Sequence, residues 1–309
     1  MERKISLNDV RKAVDAAYEE FKSLNEGEVD SRVCDACPKS FGIAVALADG
    51  TLLRKGDTDI KAPMGSISKV ALSSMLFSQL DPMEVIRKSG ECPCKKGGHR
   101  PDGVRFSAHG VRAFSALQPV GDADSKWNLY VDRLIDLMGS APELNDKVYE
   151  KLRNEAAESG FVDALAKSGY YLYDDAALSV DLYLKALSMG ASVDQLAMMG
   201  ATVAADGVNP VSRKIVFDGE IAKNIVGLMA AKGPHKMNGP WLVAAGLPAK
   251  SSFGGSIVGV YPGVMSIAAY SPALNAGGVS VKAAHAIIGI MRRLDLSVFA
   301  SARVRIVNE

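Results

Sequence analysis

Long apolar runs are missing from this chain. No window approaches about 18 uninterrupted apolar residues, so no transmembrane helix is expected. An excess of either charge is missing too: 36 Lys and Arg stand against 35 Asp and Glu, a formal net charge of +1. No basic run exceeds a few residues, which removes the usual grounds for expecting nucleic acid or an anionic membrane as partner. The segment from Met1 to Phe21 is charged and amphipathic without an apolar core, so no secretory leader is expected and the cytoplasm is the expected address. Cysteine is scarce, with four in 309 residues. In a reducing compartment close pairs point to metal or redox chemistry more than to structural disulfides. Internal repeats, low-complexity tracts and a linker long enough to separate independent domains are also lacking. What is present is ordinary for a globular protein: 48% hydrophobic and 23% charged residues, in a chain long enough for a sizeable core.

Periodicity divides the chain. Ser6 followed by Asp9 reads as a helix N-cap with an acidic third position. Behind it Leu7, Val10, Val14, Ala17, Phe21 and Leu24 recur on one helical face. Phe41 to Leu47 is a short apolar strand, and Asp49-Gly50 turns it into Thr51-Leu52-Leu53 as a hairpin. Ser66 to Leu80 is helical and ends at Asp81-Pro82. Residues 120–200 carry helical periodicity, and Asp206-Gly207 and Asn209-Pro210 are turn signals. Ser256 to Val260, a Tyr261-Pro262-Gly263 turn and Val264 to Tyr270 make a second hairpin, before a last helix from about Ser280 to Leu294. Strands near both ends with helices between predict an α/β sheet built from the two termini, with a helical insertion.

The chemical signal is Gly65-Ser66-Ile67-Ser68-Lys69-Val70, where extended Ala62-Pro63-Met64 gives way to a helix. At i and i+3, Ser66 and Lys69 share a helical face. A hydroxyl is a poor nucleophile until a base takes its proton. Lysine serves if burial or nearby positive charge brings it down from its usual ~10.4. The helix start adds N–H groups suited to an oxyanion. A Ser-x-x-Lys tetrapeptide alone is a weak signal, since an ordinary helix start with an exposed lysine gives the same letters. A second run, Gly246-Leu247-Pro248-Ala249-Lys250-Ser251 before Gly254-Gly255, resembles the Lys-Ser/Thr-Gly edge strand of penicillin-binding proteins and β-lactamases.

With these runs in place, nearly the whole chain resembles the bacterial serine-dependent glutaminases. Phe41-Gly42-Ile43-Ala44-Val45, Gly56-Asp57-Thr58, Ser66 to Val70, Gln118-Pro119-Val120-Gly121-Asp122, Asp181-Leu182-Tyr183, Met199-Gly200-Ala201-Thr202, Gly207-Val208-Asn209-Pro210, Gly246 to Lys250 and Tyr261-Pro262-Gly263 match in order and spacing. The resemblance implies a β-lactamase- or DD-peptidase-like fold: a mainly antiparallel sheet flanked by helices, with a helical subdomain. The chain would be a single domain of residues 1–309, with the sheet portion from about 1–65 and 212–309 and the helical portion from about 66–211. It implies hydrolysis of L-glutamine to glutamate and ammonia through an acyl-serine on Ser66, with Lys69 as base and no cofactor required. It also implies a homodimer or homotetramer.

Residue by residue, the catalytic turn carries over and the substrate pocket does not. The family's substrate-binding asparagine falls on Ser107, its glutamate for the substrate amine on Leu152, and a later asparagine on Ser159. Tyr183 keeps its tyrosine. The tyrosine that assists the nucleophile falls on His235, which can act as a base near neutrality. The Lys-Ser-Gly-Val run reads Lys250-Ser251-Ser252-Phe253, and the Tyr-Ile-Pro segment is replaced near Val33-Cys34. Losing the countercharge at Leu152 costs ~3–5 kcal/mol in binding if glutamine is still the ligand. An altered substrate preference, for another small-molecule amide or an ester, is therefore expected. The alternative is a weak or inactive member kept as a binding or regulatory protein.

The cysteines fall in two tight pairs, Cys34-x-x-Cys37 and Cys92-x-Cys94, with His99 beyond the second. Four thiolates can hold Zn or an iron–sulfur cluster; redox-active thiols or unrelated loop cysteines are the other readings. Lys95, Lys96, His99 and Arg100 give that loop positive charge, suited to an anionic substrate or simply to solvent. Trp127, Trp241, Met189, Met198, Met199 and His285 read as packing residues.

Overall fold

The computed structural model describes residues 2–88, 106–167, 171–234 and 237–307; Cys92, Cys94, His99 and His235 lie outside them. A five-stranded sheet forms the frame, its strands ordered Leu52–Gly56, Gly42–Leu47, Met265–Tyr270, Ser256–Tyr261 and Ala249–Ser251. Every neighbouring pair is antiparallel. Both expected hairpins form. At the first, Gly50 adopts φ +100° and the Thr51 N–H donates to Asp49 Oδ1 at 2.8 Å, a side-chain turn that fixes the register.

The middle strands are buried on both faces, so they read as continuous apolar runs rather than alternating ones. Alternation still sorts their side chains. Ala44, Ala46 and Ala268 face one core with Met64, Ile67 and Met199, whereas Ile43, Val45 and Ile267 face another with Val10, Val14 and Ile287. The second core lies under helices Leu7–Phe21 and Val281–Arg293. The Ser6 cap forms as predicted, with its hydroxyl accepting the Asp9 N–H at 3.0 Å. Parallel pairing of Glu2–Ser6 with Arg303–Val307 was not legible beforehand. The first of these strands is five residues long and runs straight into the cap, too short for a period to register.

Helix Val193–Ala204 covers the other face, on the small side chains of the central strands. A Cβ at Gly200 would stand 2.0 Å from Ser266 Oγ and 2.7 Å from Ser266 Cβ, so only glycine allows this approach. Further out lie helices Ala108–Ser115, Ala123–Met138, Asp146–Glu158 and Ala176–Ser188. One predicted element differs in detail. Instead of one helix from Ser66 to Leu80, a 3₁₀ turn Gly65–Ser68 leads into helix Lys69–Gln79. Pro82 then opens a new helix, Pro82–Lys88, because its missing N–H costs nothing at a first helical position.

The helix-on-sheet contact has a measurable consequence. Gly200→Ala overpacks it and should lower stability by about 1–3 kcal/mol in urea unfolding; an unchanged midpoint would contradict the close approach.

Candidate active site

Antiparallel pairing of Ala62–Pro63 with Met189–Ala191 carries the chain toward the site, and the Met64 N–H donates to the Met189 carbonyl at 2.7 Å. Gly65 then breaks the extended path with φ +48°. That region favours glycine, and a Cβ here would also stand 2.6 Å from Ser252 Oγ and 3.0 Å from Phe253 Cδ1. The turn bearing Ser66 thus presses directly on the loop that follows edge strand Ala249–Ser251. The turn ends at Ser68 and Lys69 opens the following helix, so Ser66 and Lys69 stand one turn apart. Ser66 is half-buried, so its hydroxyl is sheltered yet reachable. Below the turn, the Ser68 carbonyl accepts a hydrogen bond from Tyr130 Oη at 3.2 Å. Burial pushes the Tyr130 phenol upward, which keeps it neutral and a donor.

Three lysines converge here. Lys69 is half-buried; burial first, and the charge of Lys232 second, push its ammonium down to about 8. Its Nζ lies 5.8 Å from the centre of the Tyr183 ring. Lys250 is 8% exposed on the edge strand and donates to the carbonyl oxygen of Lys232. Burial, then the charges of Lys69 and Lys232, push it down to about 7. Lys232 is exposed and caps helix Gly219–Ala231. Among the described residues no carboxylate forms an ion pair with Lys69 or Lys250.

The structure brings Ser107 and Tyr183 to the same place. The Ser107 N–H donates to Tyr183 Oη at 3.3 Å, and the Ser107 hydroxyl caps helix Ala108–Ser115 by accepting the Gly110 N–H at 3.4 Å. A Cβ at Gly110 would meet Tyr183 Cε2 at 2.3 Å. Two other predicted substrate contacts have different surroundings. Ser159 closes helix Asp146–Glu158 with its hydroxyl donating to the Ala156 carbonyl at 3.2 Å. Leu152, on the same helix, is 0% exposed within the core and offers an ammonium no partner. That helix is tied to the one carrying Tyr183 by a hydrogen bond from Tyr149 to Asp181.

On the edge strand, Ser251 pairs with Ile257 and its buried hydroxyl has no partner among the described residues. One residue on, Ser252 donates to the Pro63 carbonyl and accepts the Gly254 N–H at 2.9 Å. It clamps the edge-strand loop to the chain entering the Ser66 turn. Phe253 lies under the Arg32 guanidinium, 4.0 Å from its ring centre. Arg32 is fixed in turn by Asp30, through Nε at 2.8 Å and Nη2 at 2.7 Å. The Phe253 N–H meets no acceptor among the described residues. First-turn N–H groups such as that of Ser66 have no partner within their helix. The two can serve together as donors to an oxyanion.

Sequence reasoning missed Ser252, Lys232, Tyr130 and Arg32 as residues gathered around the Ser66 turn and Lys69. Ser252 stood inside the Lys250-to-Phe253 run, so its spacing was a usable signal; the other three carry none, because only the fold brings them here. As for a metal, no group of three or more His, Cys, Asp or Glu side chains is placed to hold one among the described residues. Cys34 and Cys37 are exposed free thiols, and their expected partners Cys92 and Cys94 lie outside the described residues.

The clamp is testable before any substrate is known. Ser252→Ala leaves a buried N–H and carbonyl unpaired and should cost about 1–3 kcal/mol of stability in urea. It should also slow labelling of Ser66 by a fluorophosphonate. Wild-type values for both would remove Ser252 from the account.

Comparison with known proteins agrees with this geometry. A family model described as Glutaminase matches residues 31–299. A glutaminase of Bacteroides fragilis is 34% identical over an alignment of 325 positions, covering 100% of both chains. Glutaminase 1 of Escherichia coli K12 is 30% identical over 96% of this chain and 99% of its own. Among solved structures, the probable glutaminase ybaS superposes with a TM-score of 0.84 at 28% identity, over 96% of this chain and 100% of that one. A probable glutaminase from Bacillus subtilis, complexed with 6-diazo-5-oxo-L-norleucine, shares the fold with a TM-score of 0.82 at 22% identity. By full-length similarity, family match and a shared β-lactamase-like α/β fold, this chain belongs to the glutaminase family and is a glutaminase-like hydrolase.

Proposed function

We propose that the chain hydrolyses the side-chain carboxamide of L-glutamine, or of an amide sharing that end, to a carboxylate and ammonia through an acyl-serine. The observation that carries this reading is the turn bearing Ser66, which leads straight into Lys69, a lysine pushed down to about 8. Neutral Lys69 takes the Ser66 proton as Oγ attacks the carbonyl carbon. The carbonyl electron pair moves onto oxygen, where the Ser66 and Phe253 N–H groups donate. When the carbon–nitrogen bond breaks, Lys69 returns the proton to the leaving nitrogen and ammonia departs. Water then attacks the ester while Lys69 takes its proton; the bond to Ser66 breaks, Oγ recovers the proton and the acid leaves. Lys69 ends as it began, and the cycle runs on this chain's own groups. His235, which lies outside the described residues, is proposed as a further proton carrier on the family resemblance alone.

Substrate preference follows from the pocket. A buried ammonium needs a partner, and Leu152 supplies none. Ser159 is already bonded to its own helix. Amides without the α-ammonium should therefore compete well with glutamine. A cytoplasmic location belongs to the same proposal, as does assembly as a homodimer or homotetramer, which rests on the resemblance. Among the described residues no helix is long and apolar enough to cross a membrane.

Ammonia release provides the direct test. Ser66→Ala should reduce it by about 10³-fold or more, and 4-carbamoylbutanoate should show a kcat/KM at least equal to that of glutamine. Turnover that survives in Ser66→Ala would contradict the nucleophile, and a strong preference for glutamine would contradict the reading of Leu152.

The pH profile tests the base. Lys69 acts only when neutral, so kcat/KM should rise with pH through about 8. Because Lys250 lies close by, the apparent value belongs to the coupled pair. Lys232→Ala removes a cation that disfavours charged Lys69, so the rising limb should move to higher pH and the rate at pH 7 should fall. A limb that stays in place would show that Lys232 does not act on the base.

A further inference from the structure

Arg32 has two edges, and the fold uses one of them. Asp30 takes the side-on edge, one oxygen accepting from Nε and the other from Nη2. The Asp30 side chain is 8% exposed and that of Arg32 12%, so the pair is nearly enclosed. A guanidinium carries five N–H donors in a planar fork and can grip a carboxylate on either edge. The outer edge of Arg32, where Nη1 stands beside Nη2, meets no acceptor among the described residues. Asp30 thus holds a long side chain still while leaving a fork open, which removes much of the ordering cost of gripping a ligand. One aromatic ring relates that fork to the proposed nucleophile. The Phe253 ring takes the guanidinium over its face, and its Cδ1 edge stands 3.0 Å from where a Gly65 Cβ would be. Gly65 immediately precedes Ser66, so the cation and the turn bearing Ser66 meet the same ring.

The surrounding charge favours an anion. Lys69, Lys232 and Lys250 act on one another across the site, and the Lys151 ammonium lies 3.5 Å from the Arg32 carbonyl. Both Asp30 oxygens already accept from Arg32, through its side chain and its backbone N–H, so Asp30 is committed to the cation. A ligand with a negative end is stabilised here, whereas an ammonium beside that end faces the guanidinium as a like charge. We propose that Arg32 selects the substrate, its outer fork pairing bidentately with a carboxylate at the end opposite the amide. The substrate class is the monoamides of short α,ω-dicarboxylic acids, which set a carboxylate a few methylenes from the carboxamide and carry no ammonium beside it. For the reaction this rests on the hydrolytic reading above; the anion site itself does not.

Three ligands of matched length separate the parts. 4-Carbamoylbutanoate has both ends, pentanamide keeps the amide with a methyl group in place of the carboxylate, and pentanedioate has carboxylates alone. The full chain should hydrolyse 4-carbamoylbutanoate with a kcat/KM about 10-fold or more above that for pentanamide, which cannot make the charged pair. In Arg32→Gln this ratio should fall to about one, chiefly through a higher KM for the carboxylate substrate. That variant leaves Asp30 without its cation, so Asp30→Asn/Arg32→Gln, which removes both charges, is measured beside it and should give the same ratio. Calorimetric titration with pentanedioate should show binding that weakens by about 10-fold or more in both variants. Equal losses on the two amides would show that Arg32 only supports Phe253 and would overturn the proposal. So would pentanedioate binding that is absent from the wild type or indifferent to Arg32. A wild type that turns over neither amide, yet binds pentanedioate through Arg32, contradicts the hydrolytic reading and upholds the anion site; turnover with an unaltered ratio does the reverse.

Discussion

The site depends on holding a lysine where its charge is unwelcome. An ammonium surrounded by protein and facing other cations gives up its proton far more readily than one in water. Lys69 meets both conditions, since burial and Lys232 act on it together. Lys250, also buried, feels Lys69 and Lys232 in turn. A carboxylate beside Lys69 would undo the arrangement by stabilising its charged form. The described surroundings instead offer the face of Tyr183, which shelters without supplying a full negative charge.

The proposed base is useful only if the proposed nucleophile is aligned with it, and backbone constraints bear on the turn that leads from one to the other. Gly65 takes a conformation that L side chains avoid, and the room left by its missing Cβ is filled by Ser252 and Phe253. Ser252 then bonds back to Pro63, closing a short circuit between the turn and the edge strand. The donors proposed for the oxyanion, on Ser66 and Phe253, thus belong to two segments locked to each other. Arg32 and Asp30 hold the outer side of Phe253, so a loop with no catalytic group of its own bears on the site.

Much of this was legible in the sequence, for reasons that differ by element. The hairpins announced themselves through Asp49-Gly50 and Tyr261-Pro262-Gly263, and the first helix through Ser6, because each signal is local. Ser66 and Lys69 were singled out by spacing, although the letters alone could not distinguish an α-helical start from the 3₁₀ turn Gly65–Ser68 that leads into the helix at Lys69. Tyr183 and Ser107 were reachable only through family resemblance, since nothing local joins residues 76 apart. The pairing of Glu2–Ser6 with Arg303–Val307 and the approach of Lys232 to the site depend on the completed fold. Leu152 was read as a lost countercharge, and the structure adds that it is packed inside the core.

The protonation state of Lys69 is the quantity on which the account turns, and it can be read directly. With lysine labelled at Cε and the Lys69 resonance assigned by substitution, an NMR titration should give a midpoint near 8. A midpoint near the ordinary ~10.4 would mean that Lys69 is charged at neutral pH and cannot be the base.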